Sequence, residues 1–273
     1  MEISKVRAVF FSATGKTGQL ASTLAGALAR GFEVPMLVTD FTLPEQRDQV
    51  WEFQPDELTV FATPTYAGKL PNKLLPFIRA GFAGNGAPAV ALVTFGNRSF
   101  DNSLAELCDC LTGDGFRIAA AGAFAAQHAF AEIGVGRPDE QDLAALNVFG
   151  QEILQKLRAR KRLPAATLTV PGSADAPYYK PLCLDGSPAV FLKAKPKTDP
   201  ALCDGCGLCA RLCPMGSVSR EDPAEVPGIC IKCQHCVVSC PKGEKYFDDP
   251  AFLSHKAMLE RNYTRRAEPQ WFL

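Results

Sequence analysis

Short apolar runs alternate with longer segments of helical period through the first half of the chain. The five strand-like runs are Val6–Phe11, Glu33–Thr39, Glu57–Thr63, Ala87–Phe95 and Phe116–Phe124. Helical periodicity begins at Thr17 and returns over Asn72–Ala80, Ser99–Thr112 and Asp139–Arg160. The connection from Phe41 to Asp56 is charged and weakly periodic, which predicts a short or missing helix. Strands alternating with helices predict an α/β domain with a doubly wound parallel sheet of five strands, covered on both faces.

The composition changes sharply after this domain. Residues 163–198 are rich in proline, which fixes φ and removes a backbone donor, so an extended connector is predicted. Eight of the 11 cysteines then fall between Cys203 and Cys240. The sequence therefore predicts a first domain over 1–162, a connector over 163–198, a cysteine-rich domain over 199–249 and a C-terminal tail over 250–273.

The bulk composition excludes several classes of partner. Lys and Arg number 29, as do Asp and Glu, so neither a nucleic-acid surface nor a polybasic membrane anchor is indicated. The longest apolar runs, such as Ala87–Phe95, are much shorter than a bilayer span, and Met1–Lys5 lacks a signal-peptide pattern. We expect a cytoplasmic protein with no nucleic-acid partner and no membrane insertion, whose cysteines ligate metal rather than form disulfides.

Two cysteine runs have identical spacing. Cys203, Cys206, Cys209 and Cys213 form a Cys-x2-Cys-x2-Cys-x3-Cys-Pro pattern, and Cys230, Cys233, Cys236 and Cys240 repeat it. The first three thiolates of a run curl around one 4Fe–4S cluster, whereas the fourth points away and ligates the other cluster. We therefore expect set I (Cys203, Cys206, Cys209, Cys240) and set II (Cys230, Cys233, Cys236, Cys213) to hold one cluster each.

Structural zinc and disulfides are the alternatives for these eight cysteines. Zinc takes four ligands in two separated pairs, which leaves the third cysteine and the trailing Cys-Pro of each run unexplained. The cysteine-rich domain resembles bacterial two-cluster ferredoxins, and the resemblance implies a small α+β domain with two 4Fe–4S clusters. Cys108, Cys110 and Cys183 belong to neither run and are predicted to be structural thiols.

The turn between the first strand and the first helix has the composition of a phosphate site. It places hydroxyls and a glycine at a helix N-terminus, where free N–H groups and the helix dipole favour an anion. The residues are Ser12, Thr14, Gly15, Lys16 and Thr17. A Walker A loop is one alternative, but the glycine that it requires five residues before Gly15 is Phe10 here. The pattern Ser-x-Thr-Gly-x-Thr instead matches that of flavodoxins, with Lys16 where flavodoxins often carry asparagine.

Two further loops follow the third and fourth strands at the same edge of the predicted sheet. Their candidate residues are Pro64, Thr65, Tyr66, Ala67 and Gly68 in one loop and Thr94, Phe95, Gly96, Asn97 and Phe100 in the other. With the phosphate loop they resemble the FMN site of flavodoxins. The resemblance implies that Tyr66 flanks the isoalloxazine ring and that Gly96, Asn97 and Phe100 border its other side. His128 is a further candidate beside the flavin, although a structural histidine is the simpler interpretation.

Taken whole, the chain resembles flavodoxin–ferredoxin fusion proteins of anaerobic bacteria and archaea. That resemblance implies a flavodoxin-like first domain and electron transfer between two 4Fe–4S clusters and FMN, with redox partner proteins outside the chain. The sequence contains no Gly-x-Gly-x-x-Gly nicotinamide-binding fingerprint, so direct reduction by a nicotinamide is not indicated. We expect a low-potential electron carrier; the alternative is a ferredoxin-fed flavoenzyme that reduces a small substrate at the FMN. The tail at Trp271 is predicted to pack on the cysteine-rich domain or at a homodimer interface.

Overall fold

The computed structural model describes residues 1–164 and 168–273 of the chain. The first domain contains an alternating series of strands and helices. In chain order these are β1 (Lys5–Phe10), α1 (Lys16–Phe32), β2 (Met36–Asp40), a 3-10 turn (Pro44–Arg47), β3 (Trp51–Glu52), β4 (Glu57–Pro64), α2 (Leu75–Ile78), β5 (Phe82–Ala83), β6 (Pro88–Phe95), α3 (Ser103–Gly113), β7 (Arg117–Ala125) and α4 (Glu140–Arg158).

Five of these strands form the parallel sheet that the sequence predicts. They lie in the order β2–β1–β4–β6–β7, and every neighbouring pair is parallel. This order, in which the chain reverses direction across the sheet between β1 and β4, is that of flavodoxin-like folds. The doubly wound parallel sheet is therefore confirmed, and the switch between β1 and β4 marks where such folds bind ligands.

Each face of the sheet is covered by its own apolar cluster. On one face α1 and α4 bury Leu20, Leu24 and Phe149 against the sheet, and on the other α3 buries Leu104 and Leu107. Nearly every residue of β4 and every residue of β6 is inaccessible to solvent, which explains their continuous apolar sequence. Burial on both faces fixes the carboxyl ends of the strands and the loops that leave them.

One predicted helix is shorter in the structure, and the segment of weak periodicity lacks an α-helix. The segment Asn72–Ala80 forms only the single-turn helix α2, because Pro76 lacks an N–H and fits only the first turn of a helix. Between β2 and β4 there is no α-helix but the 3-10 turn and the short strand β3, which pairs with β5 in parallel. The expectation of a short or missing helix between Phe41 and Asp56 is confirmed.

The second half of the chain contains small elements and a return to the sheet. They are β8 (Lys197–Thr198), α5 (Leu208–Arg211), α6 (His235–Val238), β9 (Lys245–Tyr246), α7 (Pro250–Asn262) and β10 (Gln270–Phe272). β8 and β9 form a two-stranded antiparallel ladder. The helices α5 and α6 each begin at a left-handed residue, Gly207 and Gln234 respectively, so each cysteine run curls before it becomes helical.

The C-terminal tail joins the first domain. β10 pairs antiparallel with β7 and becomes the sixth strand of the sheet. The Trp271 ring stacks on Phe124 at 6.2 Å, and its Nε1 donates to Glu152 at 2.6 Å. The tail thus packs on the sheet of the first domain rather than on the cysteine-rich segment. Among the helices in the described part of the chain, none is long and apolar enough to cross a membrane.

Candidate functional site

Four cysteines line a small cavity of about 20 Å³ in the cysteine-rich segment. They are Cys213, Cys230, Cys233 and Cys236, which together make up set II. Most of the remaining wall is apolar and includes Met215, Val218 and Phe247. The cavity thus brings the fourth cysteine of the first run beside three cysteines of the second, which is the arrangement that cross-ligation of a cluster requires.

Backbone amides approach the sulfurs of set II. Ser217 N donates to Cys213 Sγ at 3.2 Å, and Lys232 N donates to Cys230 Sγ at 3.4 Å. Burial, together with the nearby thiolates of the set, raises the pKa of Cys233 to about 12. Burial likewise raises the pKa of Cys236 to about 12. Thiols buried in this way lose their protons when a positively charged metal centre compensates them, so the chemistry of the donor set fits an iron–sulfur cluster.

Set I lies nearer to the protein surface. Cys206 is exposed, whereas Cys209 is buried on α5. Cys203 and Cys209 are close enough for their thiolates to interact, and Cys240 Sγ contacts a carboxylate oxygen of the buried Glu244. Gly205 and Gly207 both have positive φ, a conformation that carries the loop around the sulfurs and that other residues rarely adopt. The two sets are adjacent, because the thiolates of Cys209 and Cys236 also interact.

The phosphate loop forms an open cradle at the start of α1. Gly15 is left-handed with φ of 83°, and a Cβ added there would meet nothing within 4 Å. Ser12 Oγ accepts from Gly18 N at 2.9 Å, but the helix has no side-chain cap. The N–H groups of Thr14, Lys16 and Thr17 have no acceptor within residues 1–164 and 168–273. Free amides at the positive end of a 17-residue helix fit a phosphate group.

The loop after β4 is a tight turn beside the phosphate loop. Pro64 pairs with Thr94 at the ends of β4 and β6, and Thr65 N donates to Thr94 O at 2.7 Å. Tyr66 and Lys69 exchange backbone hydrogen bonds around Ala67 and Gly68, both of which have positive φ. This loop therefore leaves the sheet at the switch between β1 and β4, as the sequence predicts.

The Tyr66 side chain faces the second cysteine set. It packs against the core of the first domain, as do Met215, Ile231 and Cys233 of the cysteine-rich segment. Burial, together with the nearby thiolates of Cys233 and Cys230, raises the pKa of Tyr66 well above its ordinary value. A residue predicted at the flavin and two residues predicted at a cluster are therefore neighbours.

The loop after β6 differs from the expectation at Asn97. The Asn97 amide donates to Tyr263 O and Arg265 O at 2.7 and 2.9 Å, and its oxygen accepts from Ala267 N at 3.0 Å. The Asn97 side chain therefore bonds to the C-terminal segment, and its backbone N–H donates to Phe95 O at 3.0 Å. Phe100 packs on Phe95 with ring centroids 5.7 Å apart, in the core rather than at the surface.

His128 is held as a neutral, structural imidazole. Its Nδ1 accepts from Phe130 N and Ala131 N at 3.3 and 3.2 Å. Burial lowers its pKa to about 4, and His255 and Arg98 lower it further. The ring lies so close to Gly96 that an added Cβ would meet it at 2.2 Å, which explains why a glycine occupies this position. These surroundings favour the interpretation of His128 as a structural histidine.

Arg47 fastens the cysteine-rich segment to the first domain. Its guanidinium donates to Phe41 O at 2.9 Å and to Pro214 O at 2.7 Å, and it lies over the Phe11 ring. Pro214 directly follows Cys213, so this contact fixes the edge of set II against the loop after β2. No sequence pattern indicates this role of Arg47, because an arginine in a charged connection is ordinarily solvated.

Comparisons with known proteins found similarities in two parts of the chain. A 4Fe-4S binding domain family model matches residues 196–219. No curated protein matches the sequence. Among solved structures, a flavodoxin from the domain Archaea is 16% identical, covers 56% of this chain and 99% of its own, and has a TM-score of 0.40. Flavodoxin 2 from Bacillus cereus is 15% identical over 56% of this chain and 99% of its own, with a TM-score of 0.38.

A third similarity covers only part of a larger protein. Rubredoxin oxygen:oxidoreductase from Desulfovibrio gigas is 16% identical over 58% of this chain and 37% of its own, with a TM-score of 0.37. The strand order of the first domain is flavodoxin-like, and the family match assigns 4Fe–4S binding to the segment that contains the first cysteine run. The chain therefore joins a domain with flavodoxin-like strand order to a segment that matches a 4Fe–4S binding domain.

Proposed function

We propose that this protein transfers single electrons between two 4Fe–4S clusters and FMN, as a low-potential relay in anaerobic-type metabolism. The observation that carries the proposal is the cavity in which Cys213 joins Cys230, Cys233 and Cys236 beside Tyr66. Cross-ligation needs cysteines of both runs at one place, and transfer to a flavin needs that place to border the flavin site. The cavity supports both requirements.

Each predicted group has residues suited to it. Set I and set II would supply four thiolates each. Free amides around Gly15 and the hydroxyls of Ser12, Thr14 and Thr17 would bind the phosphate, and Lys16 would add a positive charge beside it. Tyr66 would pack against the isoalloxazine ring, with the backbone at Gly96 and Asn97 along its edge. When bound, FMN accepts one or two electrons, which allows exchange between one-electron and two-electron carriers.

The exposure of the cysteines supports an order for the relay. Cys206 of set I is exposed, whereas set II lies between set I and Tyr66. We infer that a redox partner protein docks near Cys206 and that the cluster of set II is the one next to the flavin site.

The predicted division into residues 1–162, 163–198, 199–249 and 250–273 is retained as a proposal, with β10 assigned to the sheet of the first domain.

A ferredoxin-fed flavoenzyme is the competing function. It needs a proton donor beside the flavin, and His128 and Tyr66 are the candidates that the sequence offers. The His128 Nδ1 accepts two amide hydrogen bonds, and burial lowers the pKa of the ring, so His128 is poorly suited to this role. The flavoenzyme alternative therefore depends on Tyr66, whose pKa burial raises.

Cofactor analysis of protein purified without oxygen tests the proposal. We expect about eight irons per chain and one acid-released FMN. Iron near four per chain, or the absence of releasable flavin, would contradict the corresponding part of the proposal. The Walker A alternative predicts a bound nucleoside triphosphate and no flavin.

Two serine variants test the cross-ligation, and a third serves as a control. Cys240→Ser should disturb the cluster of the distant first run, and Cys213→Ser the cluster of the second run. Cys183→Ser changes a half-buried connector thiol outside both runs and should leave the iron content unchanged. The readout is iron content together with the EPR signals of the two reduced clusters. Damage confined to the cluster of the neighbouring run would show that each run ligates its own cluster.

A further inference from the structure

Asn97, in the loop after β6, has a buried side chain whose amide makes four hydrogen bonds. Its Nδ2 donates to Tyr263 O at 2.7 Å and to Arg265 O at 2.9 Å. Its Oδ1 accepts from Ala267 N at 3.0 Å and from Arg137 Nη1 at 3.1 Å. A side-chain amide has two donor protons and two acceptor lone pairs, so these bonds use its whole capacity.

Three of the four partners of Asn97 belong to the segment 263–267, which joins α7 to β10. Tyr263 caps the C-terminus of α7, where the last carbonyls of a helix have no partner within the helix. The Asn97 amide provides a donor at that helix end. Ala267 O accepts from the buried Arg137 at 2.7 Å, so a second side chain of the first domain holds the same segment.

The segment 263–267 is also anchored on the first turn of α4. Arg137 Nε donates to the buried carboxylate of Asp142 at 2.9 Å. Arg266, inside the segment, donates to the same carboxylate at 2.9 Å and to Asp139 at 2.6 Å. The segment is therefore fixed by charged groups of α4 independently of Asn97, and it can serve as a support for the loop that Asn97 belongs to.

The backbone of Asn97 has a left-handed conformation with φ of 62°, which residues other than glycine seldom adopt. Its N–H donates to Phe95 O at 3.0 Å in a tight turn directly after β6. Asparagine tolerates this conformation better than most residues, because its side chain can hydrogen-bond nearby groups. The side-chain bonds of Asn97 thus hold the turn in one conformation, and that conformation sets the direction of the neighbouring peptide groups.

We propose that Asn97 is a positioning residue for the flavin, and that it acts by fastening the loop after β6 to the segment 263–267. This inference rests on the proposed function, in which the backbone at Gly96 and Asn97 lies along the isoalloxazine edge. A loop that is not held samples several conformations, and its apparent affinity falls with the fraction in the binding conformation. The C-terminal segment is on this view a structural part of the flavin site.

Two substitutions of Asn97 separate its side chain from its backbone. Asn97→Gly removes all four side-chain bonds, but glycine adopts positive φ without strain, so any loss reflects the missing bonds. Asn97→Asp tolerates the left-handed conformation and keeps an acceptor for Ala267 N, but it offers no donor to Tyr263 O and Arg265 O. The matched control is Asn262→Ala, an exposed asparagine whose Nδ2 donates to Met258 O within α7.

The measurements use the full chain with its clusters loaded and its flavin removed. Fluorescence titration with FMN gives the dissociation constant, and hydrogen exchange followed by mass spectrometry reports on residues 95–100 and 263–267. Asn97→Gly should raise the dissociation constant about tenfold, as expected if about one molecule in ten holds the binding conformation. Asn97→Asp should lie between Asn97→Gly and the wild type.

The other readouts separate positioning from a general loss of structure. Exchange at residues 95–100 should be faster in Asn97→Gly, while the iron content and the exchange of β4 and β6 should match the wild type. Asn262→Ala should match the wild type in FMN affinity and in exchange at residues 95–100.

Several outcomes would overturn the inference. A wild-type dissociation constant for FMN in Asn97→Gly would do so, as would an equal rise in Asn262→Ala. If Asn97→Gly does not fold, Asn97→Asp decides in its place, and native FMN affinity in that variant would overturn the inference. Failure of both variants to fold would show that Asn97 holds the whole domain rather than the flavin loop. A wild-type protein without releasable FMN would instead contradict the proposed function, so the two failures are distinguishable.

Discussion

The hydroxyl oxygens of Thr17 and Thr94 lie 2.6 Å apart and share a buried hydrogen bond. Thr17 stands in the first turn of α1, and Thr94 stands at the carboxyl end of β6. The bond therefore ties the phosphate loop to the strand whose following loop would border a flavin ring. Each hydroxyl retains the capacity for two further hydrogen bonds, since it has one donor proton and two acceptor lone pairs.

Replacing Thr17 by valine should weaken FMN binding by about tenfold to a hundredfold, because a buried hydrogen bond and a phosphate donor are lost together, at about 1–3 kcal/mol. The measurement is fluorescence titration of flavin-depleted protein with FMN. Thr112→Val serves as the control, since its hydroxyl donates to Cys108 O at the far end of α3. Equal FMN affinity in Thr17→Val and wild type would remove this hydroxyl from the binding site.

Arg47→Met should loosen the cysteine-rich segment from the first domain without unfolding either part. The substitution removes the donors to Phe41 O and Pro214 O, and each such bond to a charged group contributes about 1.5–3 kcal/mol. Hydrogen exchange followed by mass spectrometry should show faster exchange around Pro214 and unchanged exchange in β4 and β6.

The control for Arg47 spans the same boundary at the surface. Arg220 approaches Glu45 at 3.5 Å, with both side chains mostly exposed, and such pairs contribute little. Arg220→Met should therefore leave the exchange pattern intact. Equal effects of Arg47→Met and Arg220→Met would mean that long-range charge, rather than the carbonyl contacts, holds the segment in place.

Trp271→Ala should lower the free energy of unfolding of the first domain by about 2–3 kcal/mol. Its ring stacks on Phe124 and Phe149, and its indole N–H donates to Glu152. Chemical denaturation followed by circular dichroism measures the change. Leu273→Ala, at the exposed end of the tail, should change stability by less than about 0.5 kcal/mol. Similar losses in both variants would contradict a specific role for the indole.

Asp114 should make the stability of the protein fall as the pH rises from about 4 to about 7. Burial raises the pKa of this carboxyl to about 7, with Arg79 opposing the shift, and its Oδ2 has no hydrogen-bond partner. The native state thus holds a proton that the unfolded state has released, which favours folding at acid pH and disfavours it above pH 7.

Asp114→Asn should remove this pH dependence. The variant should match the wild type below about pH 4 and exceed its stability by roughly 1–2 kcal/mol above pH 7, after allowance for partial solvent access. Urea denaturation at pH values between 4 and 8 measures the difference. A constant offset between the two proteins across that range would show that the carboxyl titrates normally in the native state.

The strands were predictable because parallel strands that are buried on both faces have continuous apolar sequences, as in β4 and β6. The residues at which helices and strands begin and end were less predictable. Glu33 is not in β2 because it closes α1 in a left-handed conformation with φ of 58°. The cysteine sets were predictable from local spacing, since each loop curls within a few residues.

The parts that escaped prediction depend on distant contacts. Asn97 forms hydrogen bonds with residues that are 166 to 170 positions further along the chain, and no local sequence pattern predicts such partners. β10 has only three residues, too few for a periodic signal. Lys245 looks in the sequence like any solvated lysine, but in the fold its residue is only 2% exposed.

The antiparallel pairing of β10 with β7 has a topological consequence. Both ends of the stretch from the end of β7 to the start of β10 are anchored in one sheet, so the ferredoxin-type segment is an insertion rather than an appended domain. It cannot swing away on a single tether, and each of its contacts with the first domain is remade at high effective concentration after a transient opening. The two parts of the proposed relay therefore stay together at any dilution of the protein. Electron transfer between them would not depend on a bimolecular encounter.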